Sequence, residues 1–306
     1  MRSIAVAGAA ALVAGCVPSV EEPQNVAVVQ PVAVPTPTAP AAAPPPPAPE
    51  PAGPTTFLFA GELTQGGWIR GEVPAGTVSA RLDARPLALD PQGRFFAAFD
   101  RDAGPAATLS ATLRSGAVIE SPVTVSPRAW NIEHVNVART AGGASEAFMR
   151  RRRPELERIA AARAVETGSE GWRQDFAWPA TGRISGRFGS QRVYRGEPAS
   201  YHSGLDIATG ESGTPFAAPA DGIVVLAAEQ PFSLEGNLLI IDHGMGLNSA
   251  FLHCSEIVVR EGQAVKQGQM IGRIGATGRA TGPHLHWSLM WRGARLDPLL
   301  FTGPMG

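Results

Sequence analysis

The segment Gly282-Pro283-His284-Leu285-His286-Trp287-Ser288-Leu289 decides the fold of the last third of the chain. From Leu285 onward apolar and polar side chains alternate, which is typical of a β-strand with one buried face. Because side chains two positions apart on a strand share a face, His284 and His286 point the same way. Short apolar runs and glycine-containing turns surround this segment. The sequence therefore predicts a mainly β domain over residues 177–302.

Two other segments of this region carry side chains that bind metals. His202-Ser203-Gly204-Leu205-Asp206 places a histidine and a carboxylate four positions apart, and Phe251-Leu252-His253 supplies another histidine. Histidine and aspartate are zinc ligands, and three protein ligands leave a position open for water, as in catalytic sites. The sequence therefore predicts one zinc ion per chain, held by His202, Asp206 and one histidine of the pair His284 and His286.

The remaining histidines suit proton transfer. Zinc lowers the pKa of its bound water to ~7, and His253 and the other histidine of the pair can take the proton or stabilise the oxyanion. Tyr201 and Tyr194 are weaker candidates for that stabilisation. No His-Glu-x-x-His segment occurs, which excludes the commonest helical plan of zinc proteases. We expect His134 and His243 to be structural.

These segments resemble the LytM/lysostaphin-type zinc peptidases. The resemblance covers residues 178–298 and includes flanking matches at Trp178-Pro179, Phe188-Gly189, Gly213-Thr214-Pro215, Ala220-Asp221-Gly222, Asp242-His243-Gly244 and Thr281-Gly282. It implies an antiparallel two-sheet fold with a groove over the metal. It implies His202, Asp206 and His286 as zinc ligands, and His253 and His284 as catalytic histidines.

The substrates implied by this resemblance are peptide cross-links of bacterial peptidoglycan, cut during cell-wall remodelling, growth or division. The partners would be peptidoglycan stem peptides, with other wall enzymes as further candidates. One alternative is a non-catalytic LytM-type regulator that activates a cell-wall amidase, but such relatives usually lack zinc ligands. Another is a lipoyl- or biotinyl-type carrier, since residues 261–269 resemble a barrel repeat. Export argues against a cytoplasmic carrier with Lys266 as its modified lysine.

The N-terminus predicts export and lipidation. An apolar run at residues 4–14 follows Met1-Arg2 and is shorter than the ~20 residues that span a bilayer. Val13-Ala14-Gly15-Cys16 resembles the lipobox of bacterial lipoproteins, which implies a signal peptide at residues 1–15 and a lipid on Cys16. Because a non-acidic residue follows, we expect a cell-envelope protein anchored in the outer membrane and facing the periplasm. The alternative is an ordinary secretory signal.

Three segments separate the lipid from the C-terminal domain. Residues 16–54 are rich in proline and alanine, which predicts an extended tether, with or without a length requirement. In residues 55–128, apolar and polar residues alternate in short runs that turn residues separate. This pattern predicts a small β-sandwich-like domain with Trp68 in its core. Residues 129–176 form a connector with a helix at 145–165.

Within the connector, Pro154 is compatible with a fresh helix start. The arginine run before it, residues 150–153, is interpreted as a solvated face, with binding of anionic wall polymer or lipid headgroups as the alternative. Cys254 is expected to be buried and to face away from the site, since adjacent strand residues point to opposite faces. The formal net charge of −1 gives no general attraction to polyanions, so nucleic acid is not an expected partner.

Overall fold

The structure is a computed structural model that describes residues 53–138 and 145–305. The expected signal peptide, Cys16 and the tether up to residue 52 lie outside the described residues. One 18-residue α-helix accompanies many short strands in the described part, so the mainly β prediction is confirmed. Within that part, no helix is long and apolar enough to cross a membrane.

The N-terminal part is built from two antiparallel sheets. One has the strand order β1-β2-β5 and the other β4-β3-β6-β7. Burial alternates along β6, which is the pattern that the period-two sequence predicts. The strands are β1 (Leu58–Gly61), β2 (Trp68–Glu72), β3 (Thr77–Leu82), β4 (Arg85–Pro86), β5 (Arg94–Ala98), β6 (Ala106–Leu113) and β7 (Val118–Thr124).

These sheets share their hydrophobic core with the C-terminal part of the chain. Trp68 stacks on Phe96 with ring centroids 6.2 Å apart, and lies 5.4 Å from the ring of Phe301. Its indole Nε1 donates a hydrogen bond to the carbonyl of Leu300 at 2.8 Å. Trp68 is thus partly buried and packs against a core, and that core joins residues more than 200 positions apart.

The connector contains a strand as well as a helix. Strand β8 (Ile132–Val135) pairs in parallel with a strand of the C-terminal part. Helix α1 (Glu146–Arg163) is capped by Ser145, whose Oγ accepts from the amide of Phe148. The helix runs through Pro154 without a break, so the expected fresh start there is wrong. Contacts on both sides of the proline hold the two halves on the same surface.

One of these contacts buries an arginine that was expected to be solvated. Arg152 donates to both carboxylate oxygens of Glu235 at 2.6 Å and to Glu155 at 2.9 Å. Its neighbours Arg151 and Arg153 are exposed. About two to three turns further along, Ile159 and Ala162 pack on an apolar sheet surface formed by Leu226, Leu238, Ile240 and Ala250. The arginine run is therefore partly structural.

The C-terminal part is centred on an eight-stranded antiparallel sheet with the order β18-β14-β15-β16-β20-β12-β9, and β21 pairs with β20. A second sheet has the order β13-β19-β17, and β10 joins β11 and β8 in a third. The strands are β9 (Arg183–Gly186), β10 (Gln191–Tyr194), β11 (Glu197–Pro198), β12 (Leu205–Ala208), β13 (Pro215–Ala217), β14 (Gly222–Ala227), β15 (Asn237–Asp242), β16 (Leu247–Cys254), β17 (Glu256–Ile257), β18 (Ala264–Val265), β19 (Met270–Arg273), β20 (Leu285–Trp291) and β21 (Ala294–Leu296). Short 3-10 helices lie at Gly171–Arg173 and Pro298–Leu300.

The buried ion pairs of α1 predict a stability effect. Replacing Arg152 by alanine leaves two largely buried carboxylates without their cation, so the free energy of unfolding should fall by about 3–5 kcal/mol. Urea denaturation of Arg152→Ala measures this loss. The exposed Arg151→Ala on the same helix is the matched control and should stay within about 0.5 kcal/mol of wild type. Equal losses in both variants would contradict a structural role for the pair.

Candidate metal and active site

Three predicted ligands meet at one point above the main sheet. Asp206 on β12 is the direct cross-strand partner of His286 on β20, and His202 lies three residues before β12. The Nε2 atom of His202 is 3.0 Å from Oδ1 of Asp206 and 3.1 Å from Nδ1 of His286. That Nδ1 atom is 2.9 Å from the same carboxylate oxygen. The three atoms form a small triangle that can hold a metal ion.

The chemistry of these atoms fits a cation. The Nδ1 atom of His202 donates to the carbonyl of Arg187 at 3.1 Å, which leaves the lone pair of Nε2 facing the carboxylate of Asp206. Lone pairs at this distance repel each other unless a proton or a metal ion lies between them. The triangle therefore needs a positive charge at its centre.

Electrostatics at the triangle point the same way. Burial raises the pKa of the Asp206 carboxyl, but its contacts with His202 and His286 together lower it more, so the pKa lies well below its usual range. For His202, burial lowers the pKa, but the contact with Asp206, the charge of that carboxylate and backbone hydrogen bonds together raise it above its ordinary value. For His286, burial dominates and lowers the pKa. Asp206 is therefore an anion that attracts positive charge to this point.

Two glycines make room for the triangle. A Cβ atom on Gly204 would lie 2.7 Å from Nε2 of His286 and 2.5 Å from the carbonyl oxygen of Trp287. A Cβ atom on Gly186 would overlap the carboxylate of Asp206. All of these contacts are shorter than nonbonded distances allow. The close approach of the backbone to the triangle therefore requires glycine at both positions.

His253, the penultimate residue of β16, has a conformation that the sequence did not indicate. Its φ of 65° lies in the left-handed region, and the pairing of β15 with β16 shifts register at this point. The amide of His253 donates to the carbonyl of Glu235, and its Nδ1 donates to the carbonyl of Thr277, both at 2.8 Å. Strained non-glycine residues of this kind cluster at active sites.

The ring of His284 is oriented by a backbone carbonyl in the same way as that of His253. Its Nδ1 donates to the carbonyl of Gly282 at 2.8 Å, and its ring centroid lies 5.0 Å from that of His253. Within the described residues, the Nε2 atoms of both rings have no hydrogen-bond partner, and that of His284 is 3.7 Å from Oδ1 of Asp206. Burial lowers the pKa of His253, so its ring is neutral near pH 7. Both rings are therefore oriented to exchange protons through Nε2.

All five side chains line one open cavity of about 430 Å³, together with Tyr201, Leu234, Glu235 and Arg279. Tyr194 lies on β10 and does not line it. Cys254 is fully buried outside it, and burial raises the pKa of its thiol to about 12, so it stays protonated. The structure thus brings the predicted ligands and catalytic histidines together, while their roles stay predictions.

A residue outside this region supports the loop that carries His202, and no sequence pattern predicts it. Arg101, after β5, donates to the carbonyl of Gly189 at 3.0 Å, and the amide of Gly189 donates to the carbonyl of His202 at 2.8 Å. The guanidinium group of Arg101 also lies 4.6 Å from the ring of Tyr201. A lone arginine in a turn has no local pattern that reveals such a contact.

His134 and His243 lie away from the cavity. His134 is exposed on β8. His243 is fully buried, with Nδ1 donating to the carbonyl of Asp221 and Nε2 accepting from the hydroxyl of Ser249, both at 2.8 Å. Burial lowers its pKa to about 4. His243 is therefore a neutral, structural histidine of the core.

The buried His243 predicts a pH dependence of stability. Its pKa is about 4 in the folded chain and ~6.5 in the unfolded chain, so the unfolded state binds more protons between these values. Its contribution is complete above pH 6.5, and about 3 kcal/mol is lost as the pH falls to 4. Urea denaturation across this range should show the loss in wild type and not in His243→Gln. The exposed His134→Gln is the control, and a loss as large as wild type in His243→Gln would contradict the assignment.

The glycine beside His286 predicts a second effect. Gly204→Ala forces the added Cβ against the backbone of Trp287 and should lower the free energy of unfolding by about 1–3 kcal/mol. Gly282→Ala is the matched control, because no atom lies within 4 Å of its added Cβ. Urea denaturation of both variants checks this, and equal stabilities would contradict the close approach at Gly204.

Comparison with known proteins is consistent with this geometry. The sequence profile of peptidase family M23 matches residues 200–298, which contain all five side chains. Peptidoglycan DD-endopeptidase ShyA of Vibrio cholerae is 40% identical over 124 residues, which are 40% of this chain and 28% of that protein. A Pseudomonas aeruginosa lipoprotein named as an NlpD/LppB homolog is 39% identical over 131 residues, which are 43% of this chain and 39% of that protein. This chain thus spans less than half the length of either relative.

The fold has a counterpart among solved structures. A crystal structure from Pseudomonas aeruginosa, of a protein assigned to peptidase M23, superposes with a TM-score of 0.56 at 25% identity. The superposition covers 79% of this chain and 95% of that chain, so the similarity extends well beyond residues 200–298. The chain contains a LytM-type domain of peptidase family M23 at residues 200–298.

Proposed function

We propose that this protein is a zinc-dependent endopeptidase that hydrolyses peptide cross-links of bacterial peptidoglycan. The observation that carries the proposal is the single cavity that His202, Asp206, His286, His253 and His284 line together. The family M23 match and the relative named a peptidoglycan DD-endopeptidase support the reaction and the substrate class.

In this proposal, His202, Asp206 and His286 hold one zinc ion. Two imidazole nitrogens and one carboxylate oxygen are a ligand set that zinc favours, and they leave a position open. Zinc bound there supplies Lewis acidity at the scissile carbonyl and lowers the pKa of water to about 7.

His253 and His284 handle protons and charge. Because Nδ1 of His253 is bonded to the carbonyl of Thr277, its Nε2 accepts a proton from the attacking water. His284 is fixed in the same way by Gly282, and in its protonated form it donates from Nε2 to the scissile carbonyl oxygen as negative charge develops there. The backbone carbonyls therefore set which ring nitrogen faces the substrate.

We further propose that the protein acts in the cell envelope, anchored by a lipid on Cys16, in the outer membrane and facing the periplasm. The lipobox-like sequence supports this placement, as does the similarity to a lipoprotein. The proline- and alanine-rich sequence that follows Cys16, if it is extended as its composition predicts, would let the catalytic domain reach peptidoglycan at a distance from the membrane.

A second candidate is a regulator that activates a separate cell-wall amidase. The similarity to the NlpD/LppB homolog favours it. Retention of all three ligands and both catalytic histidines favours the enzyme, because a regulator needs none of them. Hydrolysis of purified peptidoglycan distinguishes the two functions.

The ligand and catalytic roles predict different outcomes for two sets of variants. His202→Ala, Asp206→Ala and His286→Ala should lose zinc, measured by elemental analysis of the purified protein, and with it activity. His253→Ala and His284→Ala should keep zinc and lose about 100-fold or more in hydrolysis of purified sacculi, measured by mass spectrometry of released fragments. The exposed His134→Ala is the control for both measurements.

Chelation completes this test. A chelator should abolish hydrolysis by wild type, and added zinc should restore it. Full zinc content in all three ligand variants would contradict the ligand assignment. Wild-type protein that holds zinc and releases no fragments, but stimulates an amidase, would replace the enzyme by the regulator.

A further inference from the structure

A second cavity adjoins the active-site cavity on the side of helix α1. It has a volume of about 450 Å³ and lies between α1 and the strands β15, β16 and β20. Four residues line both cavities, namely Ser203, Glu235, Leu252 and His286. A peptide bound across the proposed zinc site can therefore extend into the space beside α1.

Cationic side chains dominate this second cavity. Arg152, Arg163 and Arg295 line it, and Glu235 is its only acidic lining residue among those that the structure describes. Both carboxylate oxygens of Glu235 are bonded to Arg152. Within residues 53–138 and 145–305, no carboxylate lies within 4.0 Å of the guanidinium group of Arg163 or Arg295. Two guanidinium groups in this cavity thus have no anionic partner.

The groups that contact these two arginines are neutral or bind only the backbone. Arg163 donates to Oδ1 of Asn248 at 3.2 Å and contacts the sulfur of Met290 at 2.8 Å. The carboxylate of Asp100 accepts from the backbone amide of Arg295, not from its side chain. Burial and the positive charge of Arg295 lower the pKa of Arg163 to about 10, so it remains a cation at neutral pH. Two half-buried cations near each other are unfavourable unless an anion binds with them.

We propose that Arg163 and Arg295 bind a carboxylate of the substrate peptide, which makes the cavity beside α1 a subsite for an acidic residue next to the cleaved bond. The planar guanidinium group matches a carboxylate with two parallel hydrogen bonds. The proposal rests on the proposed function, because it takes the substrate to be a cross-linked stem peptide.

The pairing of Arg152 with Glu235 keeps this subsite available. Glu235 lines both cavities, and its negative charge acts on Arg163 from beyond ion-pair distance. With both carboxylate oxygens held by Arg152, Glu235 does not occupy the two arginines itself. Helix α1 therefore supplies two cations to the subsite. Arg163 binds the substrate carboxylate, and Arg152 holds the competing carboxylate of Glu235 away from it.

The test compares two synthetic cross-linked peptides that differ only in one group, a free carboxylate or its amide on the acidic residue next to the cross-link. Dissociation constants are measured by fluorescence anisotropy on the zinc-loaded full chain in the His253→Ala background, so that binding does not depend on turnover. We expect the carboxylate peptide to bind at least about 10-fold more tightly than the amide. In parallel, kcat/KM for both peptides is measured on the chain that retains His253.

Arg163→Gln and Arg295→Gln should each remove most of this preference and leave the affinity for the amide peptide little changed. Arg295→Lys keeps the charge without the planar fork and should retain part of the preference. Arg158→Gln is the matched control, since Arg158 lies on the exposed side of α1 and pairs with Glu261. Circular dichroism confirms that each variant is folded, and Arg295→Gln on β21 carries the test if Arg163→Gln unfolds the helix.

The outcomes separate the subsite from the proposed function. Equal affinities of wild type for the two peptides, or an unchanged preference in folded Arg295→Gln, would overturn the subsite whether or not hydrolysis occurs. A preference that depends on both arginines, with no hydrolysis of either peptide, would support the subsite and reject the endopeptidase.

Discussion

The antiparallel pairing of β20 with β12 on one side and β16 on the other is the constraint on which the site depends. This register sets His286 opposite Asp206 and also opposite Leu252, one residue before His253. A shift by one residue would turn the histidine to the other face of the sheet. Backbone hydrogen bonds across three strands therefore determine the distances between side chains that are far apart in the sequence. The loops around them adjust orientation, through carbonyl groups that each bind one ring nitrogen.

The parts of this arrangement that follow local rules could be predicted from the sequence. The alternation after His284 predicts the strand, and the metal-binding side-chain types at His202, Asp206 and His253 predict a cluster. The left-handed backbone of His253 could not be predicted, because it arises from a register shift between two strands. The burial of Arg152 could not be predicted either. Its partner Glu235 is 83 positions away, and an arginine run shows no sign of which member is buried.

Elements outside the family M23 match reach the site from two directions. Arg101, from the N-terminal sheets, supports the loop of His202 through Gly189, and α1 supplies Arg152 and Arg163 to the cavity beside it. The hydrophobic core shared by the N-terminal sheets and the C-terminal part holds the first contact in place, and α1 packs on a separate apolar cluster. The connector helix thus forms part of the wall of the cavity beside the proposed active site, whereas the N-terminal part supports the loop that carries His202 without lining the active-site cavity.

At His253, the backbone conformation lowers the stability of the fold, whereas the proposed chemistry needs the imidazole at this position. A φ of 65° is unfavourable for histidine and readily adopted by glycine, with a difference of about 1–3 kcal/mol for strained conformations of this kind. Selection for stability alone would thus drive this position toward glycine and remove the imidazole that faces the cavity. The fold alone thus gains nothing from a histidine at this position, whereas the proposed proton transfer requires one.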